Sequence, residues 1–217
     1  MRALCYTCPG VSLQKIDVPQ MIYEDDVLVS IAYAGICGSD INIIHGHEDE
    51  FLGIHPGDTY ILGHEAAGYV EKLGPKAVAK GLKVGDKVAL YYNQHCGKCD
   101  YCRNGQEQFC SNMQNRGGYF ADYAVVNEQQ VFKLPDDTDM REAALVEPIS
   151  VVQRGVDLCN LKPGSKVAVV GGGGIGLLFV QLLRLAGAVR LTIIEPVEDK
   201  RNMSLQMGAD FAIDPFN

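Results

Sequence analysis

The sequence predicts a β-rich domain over residues 1–150, followed over residues 151–217 by the first half of an α/β domain with a parallel sheet. Three observations lead to this prediction. Short runs of alternating apolar residues dominate the first part, which is typical of half-buried strands. Four cysteines gather between Cys96 and Cys110, and from Lys166 onward a strand pattern alternates with a helical one.

The composition argues against several classes of protein. With 217 residues, of which 47% are hydrophobic, the chain can bury a sizeable core. The net charge of -8, without any run of basic residues, disfavours nucleic acids and anionic membranes as partners. The N-terminus has a strand pattern rather than a signal peptide, and no apolar run is long enough to span a bilayer. We therefore expect a cytoplasmic protein in which the clustered cysteines, among eight in all, serve metal binding or catalysis rather than disulfides.

The first cysteine with a chemical context is Cys37. It follows a predicted half-buried strand, whose inward positions are Val27, Val29, Ile31 and Tyr33. The turn that contains it reads Gly35-Ile36-Cys37-Gly38-Ser39-Asp40. We expect its glycines to free the backbone so that the thiolate can approach a partner.

A second set of ligand types lies in Gly63-His64-Glu65. A neutral imidazole beside a carboxylate suits a borderline cation such as zinc. Three more histidines, at positions 45, 47 and 55, precede this triplet at irregular spacing. We interpret the segment that holds them as a solvated loop near the substrate entrance, although metal binding there is the alternative.

The strongest local motif is Cys96-x-x-Cys99-x-x-Cys102, closed by Cys110. Three cysteines at this spacing can surround one ion, and the fourth completes a tetrahedron without an open position for water. This predicts a structural zinc site. Iron–sulfur binding uses similar runs of cysteine and stays open as the alternative.

The last third of the chain carries a dinucleotide fingerprint. A buried strand over 166–170 leads into Gly171, Gly173 and Gly176, with Ile175 before the last glycine; a helix to Gly187 and a strand over 190–194 follow. We expect the helix N-terminus to bind the pyrophosphate, and Glu195 to bind the adenosine ribose and repel a 2′-phosphate. This predicts NAD rather than NADP. Lys200 is a further candidate for cofactor binding, and together with Arg201 it could weaken this choice.

Together these motifs resemble the zinc-dependent medium-chain alcohol dehydrogenases, with closer similarity to the polyol, threonine and butanediol branch. The resemblance implies a GroES-like, β-rich catalytic domain followed by the first half of a Rossmann dinucleotide-binding domain. It also implies roles for individual residues. Cys37 and His64 would be ligands of a catalytic zinc, with Glu65 as the third ligand or a close neighbour. Glu147, in the pattern Glu147-Pro148, would be the fourth or exchangeable ligand.

The same resemblance implies a mechanism. Zinc would act as a Lewis acid on the alcohol oxygen, Ser39 would pass the proton toward solvent, and the hydride would leave for the nicotinamide of NAD. Asp40 would orient the zinc ligands from behind. Asn42 stands where many relatives of the threonine and polyol branch have a histidine, which weakens the case for threonine as substrate.

The expected function is therefore NAD-linked oxidation of a secondary alcohol or polyol to the ketone. Its partner would be a small-molecule alcohol, and the full-length form would be a homo-oligomer. Because a dinucleotide fold needs two halves, we expect a truncated enzyme. A non-catalytic, zinc-stabilised fragment is the alternative. A zinc-free quinone reductase relative is disfavoured, because such proteins lack these ligands.

Overall fold

The computed structural model describes residues 1–7, 10–46, 55, 57–115 and 117–217. The chain forms two compact units, Met1–Glu147 and Pro148–Asn217. Position 47, one of the loop histidines, lies outside the described residues, as does most of the segment that was predicted to form a solvated loop. In the part of the chain that is described, no helix combines the length and the apolar character needed to cross a membrane.

The first unit is built mainly from short antiparallel strands. Their bounds are β1 Arg2–Thr7, β2 Val11–Lys15, β3 Asp26–Gly35, β4 Thr59–Ile61, β5 Glu65–Leu73, β6 Lys87–Leu90, β7 Asn93–Gln94, β8 Gln114–Asn115, β9 Tyr123–Asn127 and β10 Val131–Lys133. They form a five-stranded sheet in the order β10-β6-β5-β3-β9, a three-stranded sheet in the order β2-β1-β4, and the pair β7-β8. The first part of the chain is therefore β-rich, as the alternating pattern predicted.

Strand β3 lies between β5 and β9 in the larger sheet, and its burial differs from the predicted alternation. Val27 and Val29 are fully buried in the core, but Leu28 between them is buried too. Tyr33, predicted to face inward, is exposed. The pairing of β3 with β5 shifts register between Leu28 and Val29 and again between Ile31 and Tyr33. Because a shift of one residue exchanges the two faces of a strand, the alternation did not hold along its length.

Short helices connect the strands of the first unit and lead into the second. They are α1 Gly38–Ile44, α2 Pro75–Ala79, α3 Asp100–Arg103 and α4 Met140–Ala143, followed by the longer α5 Val146–Leu158. Helix α3 lies inside the segment that carries the four clustered cysteines. Asp139 caps α4, because its side chain accepts a hydrogen bond from Arg141 N at 2.7 Å.

The second unit has the strand–helix alternation that the fingerprint predicts. Its elements after α5 are β11 Lys166–Val170, α6 Gly174–Leu185, β12 Arg190–Ile194, α7 Glu198–Gln206 and β13 Phe211–Ile213. The strands are parallel and lie in the order β11-β12-β13. The core contains Leu191 and Ile193 of β12, together with Val180 and Leu183 of α6.

One expectation for this sheet was wrong. Strand β11 was predicted to be buried, yet Lys166, Ala168 and Val170 are exposed, and Val170 is 81% exposed. Val167 and Val169, on the other face, pack against the core of the unit. Within the described residues, core side chains pack on only one face of β11, and the side chains on its other face are exposed.

Candidate functional site

Cys37, His64 and Glu65 come together in the first unit. One ligand atom from each lies within 4.8 Å of the others, an arrangement that could hold a metal ion. The sheet explains the proximity. Gly35, at the end of β3, pairs with Glu65, at the start of β5. The Cys37 turn follows β3 and the His64 turn precedes β5, so both turns lie at the same end of these two neighbouring strands.

Gly35 has a steric role in this cluster. A Cβ atom at Gly35 would collide with the carboxylate of Glu65. Neither Gly35 nor Gly38 has a positive φ. Gly35 thus makes room for the side chain of Glu65. From the sequence we expected a different role for this glycine, that of freeing the backbone.

Asp40 connects the two turns from behind. Its carboxylate accepts hydrogen bonds from Cys37 N at 2.9 Å and from Gly63 N at 3.3 Å, and Oδ1 lies 3.5 Å from His64 Nδ1. Burial raises the pKa of Asp40, but the hydrogen bonds from His64 and Cys37 outweigh it and leave the pKa below its usual value. Asp40 is therefore an anion at neutral pH, in the position that the family resemblance implied.

Asp40 also sets the state of the imidazole of His64. The hydrogen bond to Asp40 raises the pKa of His64 to about 9, against the opposing effect of burial. Because Nδ1 faces Asp40, Nε2 is the nitrogen left for a metal. A metal bound there would have to displace a proton at neutral pH, since only the neutral imidazole is a ligand.

Tyr92 is a neighbour of the cluster that the sequence did not reveal. Its ring meets that of His64 edge to face, with 5.3 Å between centroids. In the β5–β6 pairing Ala66 lies opposite Leu90. Continuing this antiparallel register by two residues places Tyr92 opposite His64. The proximity depends on strand register, which no local pattern in the sequence specifies.

The acidic residues of the site differ in position. Burial raises the pKa of Glu65 and of Glu147 above the ordinary carboxyl value. Glu147, in the first turn of α5, is buried but is not part of the described group whose ligand atoms lie within 4.8 Å of one another. The charges of His64 and Glu65 still act on its pKa, so Glu147 lies beside the cluster. Ser39 is the second residue of α1, the helix whose N-cap is Cys37.

The four cysteines of the lobe, Cys96, Cys99, Cys102 and Cys110, form a second group of ligand atoms within 4.8 Å of one another. The Sγ–Sγ distances are 3.5 Å for Cys99–Cys102, 3.9 Å for Cys99–Cys110 and 4.0 Å for Cys96–Cys102. Four thiolates at about 2.3 Å from a tetrahedral zinc lie about 3.8 Å apart. The spacing of the sulfurs therefore fits a single ion.

The backbone around the lobe favours thiolates. Cys96 N and Asn112 N donate to Cys110 Sγ at 3.3 and 3.4 Å. Hydrogen bonds from the N–H groups of Lys98 and Cys99 lower the pKa of Cys96 to about 6. Donors aimed at sulfur stabilise the negative form that binds a metal.

The glycine-rich turn of the second unit has the geometry of the fingerprint. Gly171 has a φ of +97°, and Gly173 precedes the first residue of α6. A Cβ at Gly176 would collide with the carbonyl oxygen of Gly171, so only glycine lets the helix approach the turn this closely. Ile175 lies exposed in the first turn of α6.

Glu195 follows β12 and is joined directly to this turn. Its carboxylate accepts hydrogen bonds from Gly172 N at 2.7 Å and from Val197 N at 2.9 Å. These two bonds lower its pKa, so the side chain is an anion. Lys200, the other predicted nucleotide contact after the turn, is exposed on α7.

Comparison with known proteins agrees with this architecture. The profile of the alcohol dehydrogenase GroES-like domain matches residues 23–136. L-threonine 3-dehydrogenase from Pyrococcus furiosus is 37% identical over 100% of this chain and 62% of its own length. Galactitol-1-phosphate dehydrogenase from Escherichia coli superposes with a TM-score of 0.89 at 30% identity, over 100% of this chain and 62% of that structure.

A further solved structure bears on the cofactor. A protein from Sinorhizobium meliloti 1021, described as a zinc-binding dehydrogenase and bound to NADP, superposes with a TM-score of 0.88 at 33% identity, over 99% of this chain and 62% of that one.

The chain thus spans about 62% of the length of these relatives. The predicted fold class, a GroES-like domain followed by part of a Rossmann domain, is confirmed. On the match over residues 23–136, the chain belongs to the zinc-type alcohol dehydrogenases with a GroES-like domain.

Proposed function

We propose that this chain supplies the metal-binding catalytic domain, residues 1–150, and the first nucleotide-binding half, residues 151–217, of an NAD-linked dehydrogenase. The reaction would be oxidation of a secondary alcohol or polyol to the ketone. The observation that carries the proposal is the group of Cys37, His64 and Glu65, with ligand atoms within 4.8 Å and Asp40 bonded behind them. A thiolate, an imidazole and a carboxylate with space for a further ligand are typical of catalytic zinc sites.

The chain's own residues have distinct tasks in this reaction. Bound zinc would supply Lewis acidity toward the alcohol oxygen. Asp40 holds the Cys37 turn and the His64 ring in one orientation through its three contacts. Ser39 Oγ would accept the proton of the substrate hydroxyl and pass it toward solvent. Glu147, beside the cluster and not within it, suits an exchangeable ligand better than a permanent one.

The second unit would bind the adenosine half of NAD, whose nicotinamide is the hydride acceptor. The N-terminus of α6 and the turn through Gly171, Gly173 and Gly176 would face the pyrophosphate. The anionic side chain of Glu195 would accept hydrogen bonds from the ribose hydroxyls and repel a 2′-phosphate. Lys200, exposed on α7, would contact the nucleotide from the side.

The cysteine lobe would hold a second, structural zinc. Its four sulfurs lie close enough to touch one ion, and they leave no ligand position for water. In an iron–sulfur cluster the thiolates bind different irons, which requires more room between them. The spacing therefore supports zinc over the cluster.

The proposed substrate class is the secondary alcohols. Threonine and galactitol 1-phosphate, in the names of two relatives, both contain a secondary hydroxyl. Asn42 continues to weaken the case for threonine. We propose a small-molecule substrate in the cytoplasm, with a homo-oligomeric full-length protein and no nucleic-acid partner.

The test counts zinc ions per chain by native mass spectrometry and then measures NADH formation with a panel of polyols. We expect two zinc ions in the unsubstituted protein, one in Cys37→Ala, and two in the control Cys159→Ala, whose exposed thiol belongs to neither group. A Cys37→Ala variant that retains two zinc ions would refute the catalytic site. Two zinc ions without NADH formation would instead support the zinc-stabilised, non-catalytic alternative for this chain.

A further inference from the structure

The guanidinium group of Arg201 lies at the same strand end as Glu195. Arg201 of α7 reaches back to β12, and its Nη1 donates to the carbonyl oxygens of Glu195 at 2.8 Å and Pro196 at 2.7 Å. An arginine beside the acidic residue of a dinucleotide fold is the group that can accommodate a 2′-phosphate. On its own, Arg201 would thus oppose the selectivity that Glu195 provides.

Asp214 forms an ion pair with the guanidinium of Arg201. It directly follows β13, the neighbour of β12, and its Oδ2 lies 3.3 Å from Arg201 Nη1. Both side chains are largely buried, with 18% and 19% exposure for Arg201 and Asp214. Asp214 is itself fixed, because Oδ1 accepts from Phe216 N at 3.0 Å and Oδ2 from Asn217 Nδ2 at 3.1 Å. The ion pair therefore has a defined geometry.

The carboxylate of Glu195, by contrast, is held at the glycine turn. Its two oxygens accept from Gly172 N and Val197 N, which point the side chain toward the predicted phosphate-binding turn. At this end of the sheet, Glu195 is thus directed at the proposed nucleotide site, while Asp214 neutralises the guanidinium of Arg201.

We propose that Asp214 is a positioning residue for cofactor selectivity: by pairing with Arg201 it withdraws a guanidinium that would otherwise attract the 2′-phosphate of NADP. The inference rests on the proposed function, because it assumes that this strand end binds the adenosine ribose. It adds a residue outside the fingerprint, on the third strand, to the determinants of NAD preference.

The test uses two ligands that differ only in the 2′-phosphate, adenosine 5′-monophosphate and adenosine 2′,5′-bisphosphate. Isothermal titration of the full 217-residue chain with each gives a ratio of dissociation constants. In Asp214→Asn, which keeps the shape of the side chain, we expect the bisphosphate to gain about threefold to tenfold relative to the monophosphate. The reason is that the charge of Arg201 then acts on the phosphate without a counter-charge.

Three variants separate this role from a general effect on folding. Asp210→Asn breaks a similar ion pair, with Arg184, at the opposite end of β13, and should leave the ratio unchanged. Asp214→Glu, which keeps the negative charge, should have the same ratio of dissociation constants as the unsubstituted chain. In Asp214→Asn combined with Arg201→Gln the gain should disappear, because Asp214 acts through Arg201.

The outcomes distinguish the two levels of the proposal. Absence of binding by adenosine 5′-monophosphate to the unsubstituted chain would overturn the proposed nucleotide site, and this inference with it. Binding of the monophosphate with an unchanged ratio in Asp214→Asn would overturn the inference alone. An equal gain in Asp210→Asn would also overturn it, since the effect would then be one of net charge.

Discussion

Replacing Gly63, the residue before His64, is expected to destabilise the first unit through two separate effects. Gly63 has a φ of +91°, a conformation that L side chains rarely adopt. A Cβ at this position would also overlap the ring of Phe120. The backbone cannot move freely to relieve the overlap, because the carbonyl oxygen of Gly63 accepts from Gly118 N at 2.9 Å and Tyr119 N at 3.1 Å.

The magnitude follows from these two effects. A left-handed conformation costs an alanine about 1–2 kcal/mol, and an overpacked site costs about 1–3 kcal/mol. Gly63→Ala should therefore lower the free energy of unfolding by about 2–5 kcal/mol. Gly85→Ala is the matched control, since its φ is +88° and no atom lies within 4 Å of the added Cβ. The control should show the first effect alone.

Urea denaturation at constant zinc concentration measures both free energies of unfolding. The restriction of the unfolded chain by the added methyl group is the same in both variants, so it cancels in the difference. We expect Gly63→Ala to be less stable than Gly85→Ala by about 1–3 kcal/mol. Phe120→Leu, combined with Gly63→Ala, should recover part of that difference. Equal stability of Gly63→Ala and Gly85→Ala would refute the steric argument.

Three further predictions concern the sites directly. Asp40→Asn should weaken zinc binding at the Cys37 group by about tenfold to a hundredfold, because the charge behind His64 is lost; chelator competition measures this, and unchanged affinity would contradict the role of Asp40. Cys102→Ser should reduce the lobe's zinc content and the melting temperature together, and a full complement of zinc by mass spectrometry would count against a structural site. Glu195→Ala should relax discrimination between NAD and NADP in a binding assay, whereas an unaltered preference would remove Glu195 from the ribose site.

Local motifs were predictable because their residues meet through short-range chain geometry. The four cysteines of the lobe are close in sequence, so a short helix and two turns suffice to gather their sulfurs within 4.8 Å. The glycine turn is equally local, since Gly171 and Gly176 contact each other across one turn of chain. The strands around it, β11 and β12, have the predicted bounds for the same reason.

Contacts and burial that depend on strand pairing were harder to predict from the sequence. The outward position of Tyr33 results from a register shift with β5, and the burial of β11 depends on which face of its sheet is covered. Tyr92 and His64 meet only because β5 and β6 pair in one register. Alternation in a single strand carries no information about its partner's register, so these contacts could not be predicted.

By itself, then, the sequence determined the kinds of ligand that this protein can offer, the clustering of four cysteines in one lobe and the order of strand, glycine turn and helix. These depend on residue chemistry and on neighbours along the chain. The tertiary structure decided which side chains come together: it grouped Cys37, His64 and Glu65, buried Glu147 where their charges act on it, and paired Arg201 with Asp214. Such groupings arise from strand pairing and burial, which bring together residues that are far apart in the sequence.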